Sequence, residues 1–235
     1  MNVLLSIDGV SKRFRGLLAV DNVSFRVAQG SIFAVIGPNG AGKTTLFNII
    51  AGMSAPDRGS IAFAGGRIDG LTPDEICRRG IGRTFQLVRP FPALSVEDNV
   101  AIGAMLHRHD PALARRRAHE VLKQLDLFGK RHQPASALTL PDRKRLEVAR
   151  ALATDPKLLL LDEPANGLDP AGIVAMRDTL QFLASTGKTV FVPKRSGTPA
   201  PNSPCASWPP ASCPTTSTSP WGRTPTATWA AGCTG

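Results

Sequence analysis

Two stretches of this chain have residue types and spacing suited to phosphate chemistry. The first is Gly37-Pro38-Asn39-Gly40-Ala41-Gly42-Lys43-Thr44, with Thr45 behind it; it fits the pattern G-x-x-x-x-G-K-S/T without a mismatch. Glycines at 37, 40 and 42 let a loop wrap tightly, because glycine accepts positive φ and carries no side chain. Successive N–H groups then point inward, and a following helix adds its unpaired donors and the positive end of its dipole. Such a cradle suits the α- and β-phosphates of a nucleotide. Lys43 would reach the β- and γ-phosphates, and the Thr44 hydroxyl would ligate Mg²⁺. A plain glycine-rich turn would give no reason for Lys-Thr in the first helical turn.

The second stretch is Lys157-Leu-Leu-Leu-Leu-Asp162-Glu163-Pro164, an apolar strand that ends in two acids. Buried strands rarely end in paired carboxylates without a partner charge. Mg²⁺ on nucleotide phosphates is a natural partner: Asp162 would hold the ion, and Glu163 would orient or deprotonate an attacking water. A solvated strand end is the simpler alternative. Pro164 cannot continue a ladder and turns the chain outward.

Both stretches need a sheet to bring them together. Ser31 to Ile36 is a short β-branched apolar run that reads as a buried strand, and Lys43 to Gly52 has apolar residues at helical spacing. Leu5 to Val10 and Asn22 to Val27 alternate apolar and polar, which predicts antiparallel strands; Ser60 to Ala64 reads as another. Thr72-Pro73-Asp74-Glu75 is a capping box with proline at the first helical position. Helices are predicted over Ser95 to Leu106, Pro111 to Leu125 and Asp142 to Ala153, forming an inserted lobe over about residues 88–153. Leu158 to Leu161 and Thr189 to Val192 return to a parallel core, with a helix from Gly172 to Ala184 between them. The fold class is therefore α/β, with an antiparallel N-terminal part and a helical insertion.

Composition narrows the function. A chain of 235 residues holds one sizeable domain, or one with an inserted lobe. The net charge of +10 is scattered over Arg115-Arg116-Arg117, Lys130-Arg131 and Arg143-Lys144-Arg145, which read as solvated helix faces and not as a nucleic-acid surface. The densest apolar run, Leu158 to Leu161, is far too short to span a membrane. No secretory leader pattern is visible, and before residue 193 the only cysteine is Cys77, so a reducing cytoplasm is expected.

With both stretches placed, residues 3–192 resemble the ATP-binding subunits of ABC transporters. The resemblance implies a P-loop NTPase of RecA-like fold that binds ATP and Mg²⁺. It implies a second ATPase subunit, in a homo- or heterodimer, together with membrane permease subunits and, indirectly, a substrate-binding protein. Such a chain would be cytoplasmic and peripheral on the inner face of the cell membrane. Gln86, in Gly82-Arg83-Thr84-Phe85-Gln86, matches the family glutamine that touches Mg²⁺ or the attacking water. Arg83 to Val100 (RTFQLVRPFPALSVEDNV) resembles the ATPases of branched-chain and hydrophobic amino-acid importers. Phe14 stands where the family places an adenine-stacking aromatic; ordinary core packing is the other reading. Asn166-Gly-Leu-Asp169-Pro170 resembles the loop where two such subunits meet, and Asp169 also fits a helix N-cap.

Two features depart from the family. Leu138-Thr139-Leu140-Pro141-Asp142 replaces the Leu-Ser-Gly-Gly-Gln signature that meets the partner's ATP. Thr139 keeps a hydroxyl, Leu140 hinders close backbone approach, Pro141 lacks an N–H, and Asp142 is expected to put negative charge near a phosphate. The strand Thr189 to Val192 also lacks the family histidine that follows it. Residues 193–235 hold nine of the 20 prolines and all three tryptophans, with no Leu, Ile, Val, Met, Phe, Asp or Glu, so no periodic apolar face exists there and a disordered tail is expected. The abrupt change at Val192-Pro193 predicts a shifted reading frame; a natural Pro/Ser/Thr-rich linker is the alternative. Hydrolysis slower by about 10²–10³ is expected, the scale for losing one transition-state donor. A nucleotide-binding module with little turnover and a non-transport ABC ATPase are the competing functions.

Overall fold

Two sheets and a helical lobe make up the part of the chain described by the computed structural model, residues 2–84 and 90–195. The chain opens with two long antiparallel strands, β1 (Val3–Phe14) and β2 (Leu17–Ala28). Arg15 (φ 49°) and Gly16 (φ 138°) join them, the positive φ values that a tight hairpin demands. β3 (Ile32–Gly37) then starts a second sheet and runs through the glycine loop into α1 (Lys43–Ile50). β4 (Arg58–Phe63) and the short β5 (Gly66–Arg67) return to the first sheet, whose order is β2-β1-β4-β5.

After α2 (Pro73–Arg78), with the expected capping box at Thr72, comes β6 (Ile81–Arg83). The lobe follows as α3 (Val96–Ala104), α4 (Pro111–Gln124) and α5 (Leu140–Ala153). The chain re-enters the second sheet through β7 (Leu158–Leu160), α6 (Pro170–Ser185) and β8 (Thr189–Arg195). That sheet is parallel throughout, with order β3-β8-β7-β6.

The parallel sheet is buried on both faces, as such sheets require. Leu158 and Leu160 pack with Phe33, Val35, Phe47 and Phe191 and with the antiparallel sheet. Leu159 and Leu161 face the other way, toward Leu146, Leu152, Met176 and Val190. Beneath the glycine loop, Phe191 meets Phe33 at 5.0 Å and Phe47 at 4.8 Å between ring centroids, and Phe33 stacks on Phe25 at 4.9 Å. These contacts fix β3, β8 and α1 relative to one another. In the lobe, Ala114, Ala118, Val121 and Leu122 form the buried stripe of α4.

The structure departs from the sequence reading in several places. β8 runs to Arg195, three residues past the expected end at Val192, with Pro193 opposite Val35 and Arg195 opposite Gly37. The proline is tolerated for a geometric reason. Even-numbered residues of β8 turn their amides toward β3, as Val190 N–H does to Ser31 O (3.0 Å). Odd-numbered ones face β7, where Leu161 N–H still donates to Phe191 O (2.9 Å) and residue 193 would be the next donor, so Pro193 leaves the bonds to β3 intact and ends the ladder to β7. α5 starts at Leu140, not Asp142, and α6 at Pro170. β5 and β6 were not anticipated. The basic helix faces are not simply solvated: Arg117 bonds Asp155 Oδ1 (3.4 Å), which also accepts from Lys188 (2.9 Å), and Lys144 is buried. Residues 196–235, with their expected disorder and frame change, lie outside the described residues.

Candidate nucleotide site

The glycine loop has the local geometry of an anion cradle. Gly40 (φ 78°) and Gly42 (φ 77°) both lie in the left-handed region. Gly42 caps α1 and is pressed against β2: a Cβ built there would stand 2.0 Å from the Ala19 carbonyl oxygen. Around Gly40 there is open space. The first hydrogen bond of the helix is Leu46 N–H to Gly42 O (2.9 Å), so the N–H groups of Gly42, Lys43, Thr44 and Thr45 lie ahead of the helical ladder. The Lys43 ammonium folds back over the loop and donates to the carbonyls of Gly37 and Pro38, both at 2.7 Å. Asn39, Gly40 and Thr44 are exposed, whereas Lys43 is buried. A cation and several amides therefore converge on one small volume, which suits a phosphate.

The acids stand at the same sheet edge. β3 and β7 both flank β8, so the loop after β3 and Asp162 after β7 lie about two strand spacings apart, roughly 10 Å. Asp162 is 3% exposed. Its N–H donates to Thr84 Oγ1 (3.3 Å), and its Oδ2 is 4.0 Å from Arg83 Nη2. Burial pushes the Asp162 carboxyl above its ordinary range, and the charges of Arg83, Lys144 and Lys43 only partly offset this. A cation arriving beside Asp162 would relieve the strain.

Glu163 follows with φ 47°, a left-handed conformation that costs a non-glycine residue about 1 kcal/mol or more. A turn holds it: Asn166 N–H donates to Glu163 O (3.0 Å), and Asn166 Nδ2 donates to Glu163 Oε2 (3.2 Å). Backbone strain at this residue redirects the chain at the strand end and sets the second carboxylate apart from the first.

These donors fit a magnesium nucleotide. Among the described residues, no group of three or more His, Cys, Asp or Glu is placed to hold a metal ion alone. Mg²⁺ at this edge would take most of its ligands from phosphates and water, as it commonly does, with Asp162 and the Thr44 hydroxyl from the protein.

The remaining sequence candidates fall in different places. Phe14 is 48% exposed at the hairpin tip, with the Lys12 ammonium 5.6 Å from its ring centroid, so it is not a core residue. Gln86 lies outside the described residues. Thr139 caps α5 and donates its hydroxyl to Asp142 Oδ2 (2.8 Å). The Asp142 charge is paired within the chain. Its carboxylate turns into the protein, where Lys130 donates to Oδ2 and Arg145 lies 3.5 Å from Oδ1. Burial raises the Asp142 carboxyl, but the bonds from Lys130 and Thr139 outweigh it and hold it below the usual range. Leu140 is half-exposed and borders the Asn166–Asp169 loop: a Cβ on Gly167 would lie 3.6 Å from its Cδ2. Asp169 caps α6, accepting from Gly172 N–H at 2.9 Å. Sequence reasoning missed Arg83 and Thr84. Their only local signal was a charge and a hydroxyl ending a very short apolar strand.

A parallel sheet with a glycine-lysine loop and two acids at one edge defines a P-loop nucleoside triphosphatase. Comparison with known proteins gives the family. The ABC transporter family model matches residues 20–166. The high-affinity branched-chain amino acid transport ATP-binding protein LivG of Salmonella typhimurium is 38% identical over 182 residues, covering 71% of each chain. The corresponding BraF of Pseudomonas aeruginosa is 39% identical over 184 residues, again covering 71% of each. Among solved structures, the ADP conformation of MJ1267, an ATP-binding cassette of an ABC transporter, superposes with a TM-score of 0.76 at 29% identity, covering 83% of this chain and 82% of that one. The chain belongs to the ABC transporter family, as one of its ATP-binding ATPase subunits.

Proposed function

We propose that this subunit powers import of branched-chain amino acids, paired with a second ATPase subunit beneath membrane permease subunits that receive cargo from a substrate-binding protein. The similarity to LivG and BraF carries the substrate class, and the importer-like stretch from Arg83 to Val100 supports it. The chain would work at the inner face of the cell membrane as a peripheral protein; no described helix is long and apolar enough to cross a membrane.

The chemistry follows from the sheet edge. The 37–45 loop would bind the phosphates through its amides, with the Lys43 ammonium moving from the Gly37 and Pro38 carbonyls onto phosphate oxygens. Phe14 would stack on the adenine face. Thr44 and Asp162, joined by Gln86, would hold Mg²⁺, which supplies charge neutralisation across the β- and γ-phosphates. Glu163 would take the proton of the attacking water, its carboxylate held by Asn166. Thr139, Leu140, Pro141 and Asp142 would face the partner's ATP. With Asp142 neutralised by Lys130 and Arg145, the signature would present the Thr139 hydroxyl and an apolar Leu140 instead of a negative charge.

Phosphate release from the purified pair tests this. Glu163→Gln should lower the rate by about 10²–10³ while leaving ATP binding intact, and the parent should co-purify with permease subunits. A parent no faster than Glu163→Gln would favour the reading of a binding module with little turnover. A parent that hydrolyses ATP but never associates with permeases would favour a non-transport ATPase.

A further inference from the structure

Asp162 is held by more than its own strand. β6 pairs in parallel with β7, with Arg83 opposite Leu160, two residues before the acid. Thr84, next in line, donates its N–H to Leu160 O (2.9 Å) and accepts the Asp162 N–H on its hydroxyl (3.3 Å). The end of β6 thus grips the Asp162 backbone, while the Arg83 guanidinium reaches the carboxylate at Oδ2 (4.0 Å). The Arg83 and Asp162 side chains are only 11% and 3% exposed. Among the described residues neither carboxylate oxygen of Asp162 accepts a hydrogen bond; Oδ2 faces the arginine as a long ion pair, which leaves Oδ1 for a ligand.

We propose that Arg83 is a positioning residue for the metal-binding carboxylate: it fixes the rotamer of Asp162 through Oδ2 and so presents Oδ1 toward the phosphate loop. The inference rests on the proposed Mg-ATP site. The Arg83 guanidinium lies within ion-pair distance of the Asp162 carboxylate, and both side chains are shielded from solvent. The other charged groups that act on Asp162 (Lys43, Lys144 and Glu163) do not come within ion-pair distance of its carboxylate. Arg83 also lines a cavity of about 200 Å³ with Glu147 and Arg150 of α5, so the same side chain joins the metal site to the base of the lobe. Partners that orient a ligand in this way are commonly worth 10–100-fold in metal affinity.

The test is equilibrium binding of a fluorescent ATP analogue to the full chain, without magnesium and across a Mg²⁺ titration. Arg83→Met should leave magnesium-free binding within about twofold and raise the Mg²⁺ concentration for half-effect about 10–100-fold. Arg83→Lys should recover at least half of that loss on a logarithmic scale. If Arg83→Met does not fold, by circular dichroism and thermal melting, Arg83→Gln takes its place with the same expectation. An unchanged Mg²⁺ midpoint in a folded neutral variant overturns the proposal, as does an equal loss of binding with and without magnesium. A parent chain that shows no magnesium-dependent nucleotide binding overturns the proposed function, and this inference with it.

Discussion

Alanine at Gly40 and alanine at Gly42 would impose the same backbone demand in different surroundings. The two glycines have nearly equal φ, 78° and 77°. Forcing an alanine into that region costs about 1–2 kcal/mol at either site. At Gly40 the new methyl meets nothing within 4 Å, so the conformational cost is the whole cost. At Gly42 it would stand 2.0 Å from the Ala19 carbonyl oxygen, with the carbonyl carbon at 3.2 Å. A comfortable contact is about 3.5 Å, so loop and β2 must part by more than about 1 Å. Both neighbours are backbone held in sheets or at a helix start, and overpacking of this kind adds about 1–3 kcal/mol. The totals are about 1–2 kcal/mol for Gly40→Ala and about 2–5 kcal/mol for Gly42→Ala. With a slope of about 2 kcal/mol per molar urea, the unfolding midpoint should fall by about 0.5–1 M and about 1–2.5 M respectively. Equal shifts for the two variants would refute the close approach of β2 to the loop.

Other perturbations read other parts of the structure. Asp142 has a depressed pKa, so its ion pairs stabilise the fold above the unfolded value of about 3.9 and are lost as pH falls through the lower folded value. Asp142→Asn should therefore melt below the parent at pH 6, by about 4–8 °C for about 2 kcal/mol, and the gap should close between about pH 4 and pH 2; a gap independent of pH would remove the ion pairs from the explanation. Phe14→Ala should raise the Kd for ATP and GTP alike by roughly 5–30-fold, the equivalent of about 1–2 kcal/mol of stacking. Unchanged affinity for both nucleotides would show that the hairpin tip does not touch the base.

What the sequence showed and what it hid divide along chain distance. The Thr72 capping box and the Asp169 cap are built from residues within four positions of one another and the glycine loop from a run of eight, and each took the form its pattern suggested, except that Gly37 ends β3 without a positive φ. The run at 158–161 was legible because a strand buried on both faces has no polar positions. β6 was not, because its three residues include Gly82 and end in a half-buried arginine, and Gly80 precedes them. The end of β8 was hidden by Pro193, whose tolerance depends on which neighbour its amide would have faced. The pairing of Asp142 was hidden because its main partner, Lys130, sits twelve positions away. The Arg83 and Thr84 contacts with Asp162 cross from one strand to another, 78 positions apart in the case of Thr84. No local pattern encodes such a pairing.

Equilibrium binding of labelled ATP to the full chain, with Mg²⁺ present, tests the central claim most directly when the parent is set beside Lys43→Ala. The expected result is saturable binding by the parent and a loss of about 10–100-fold in the variant, the equivalent of removing a charged hydrogen bond worth about 1.5–3 kcal/mol. A parent that binds no ATP, or a variant that binds it equally well, would contradict a nucleotide gripped at the edge shared by the loop after β3 and the acids after β7.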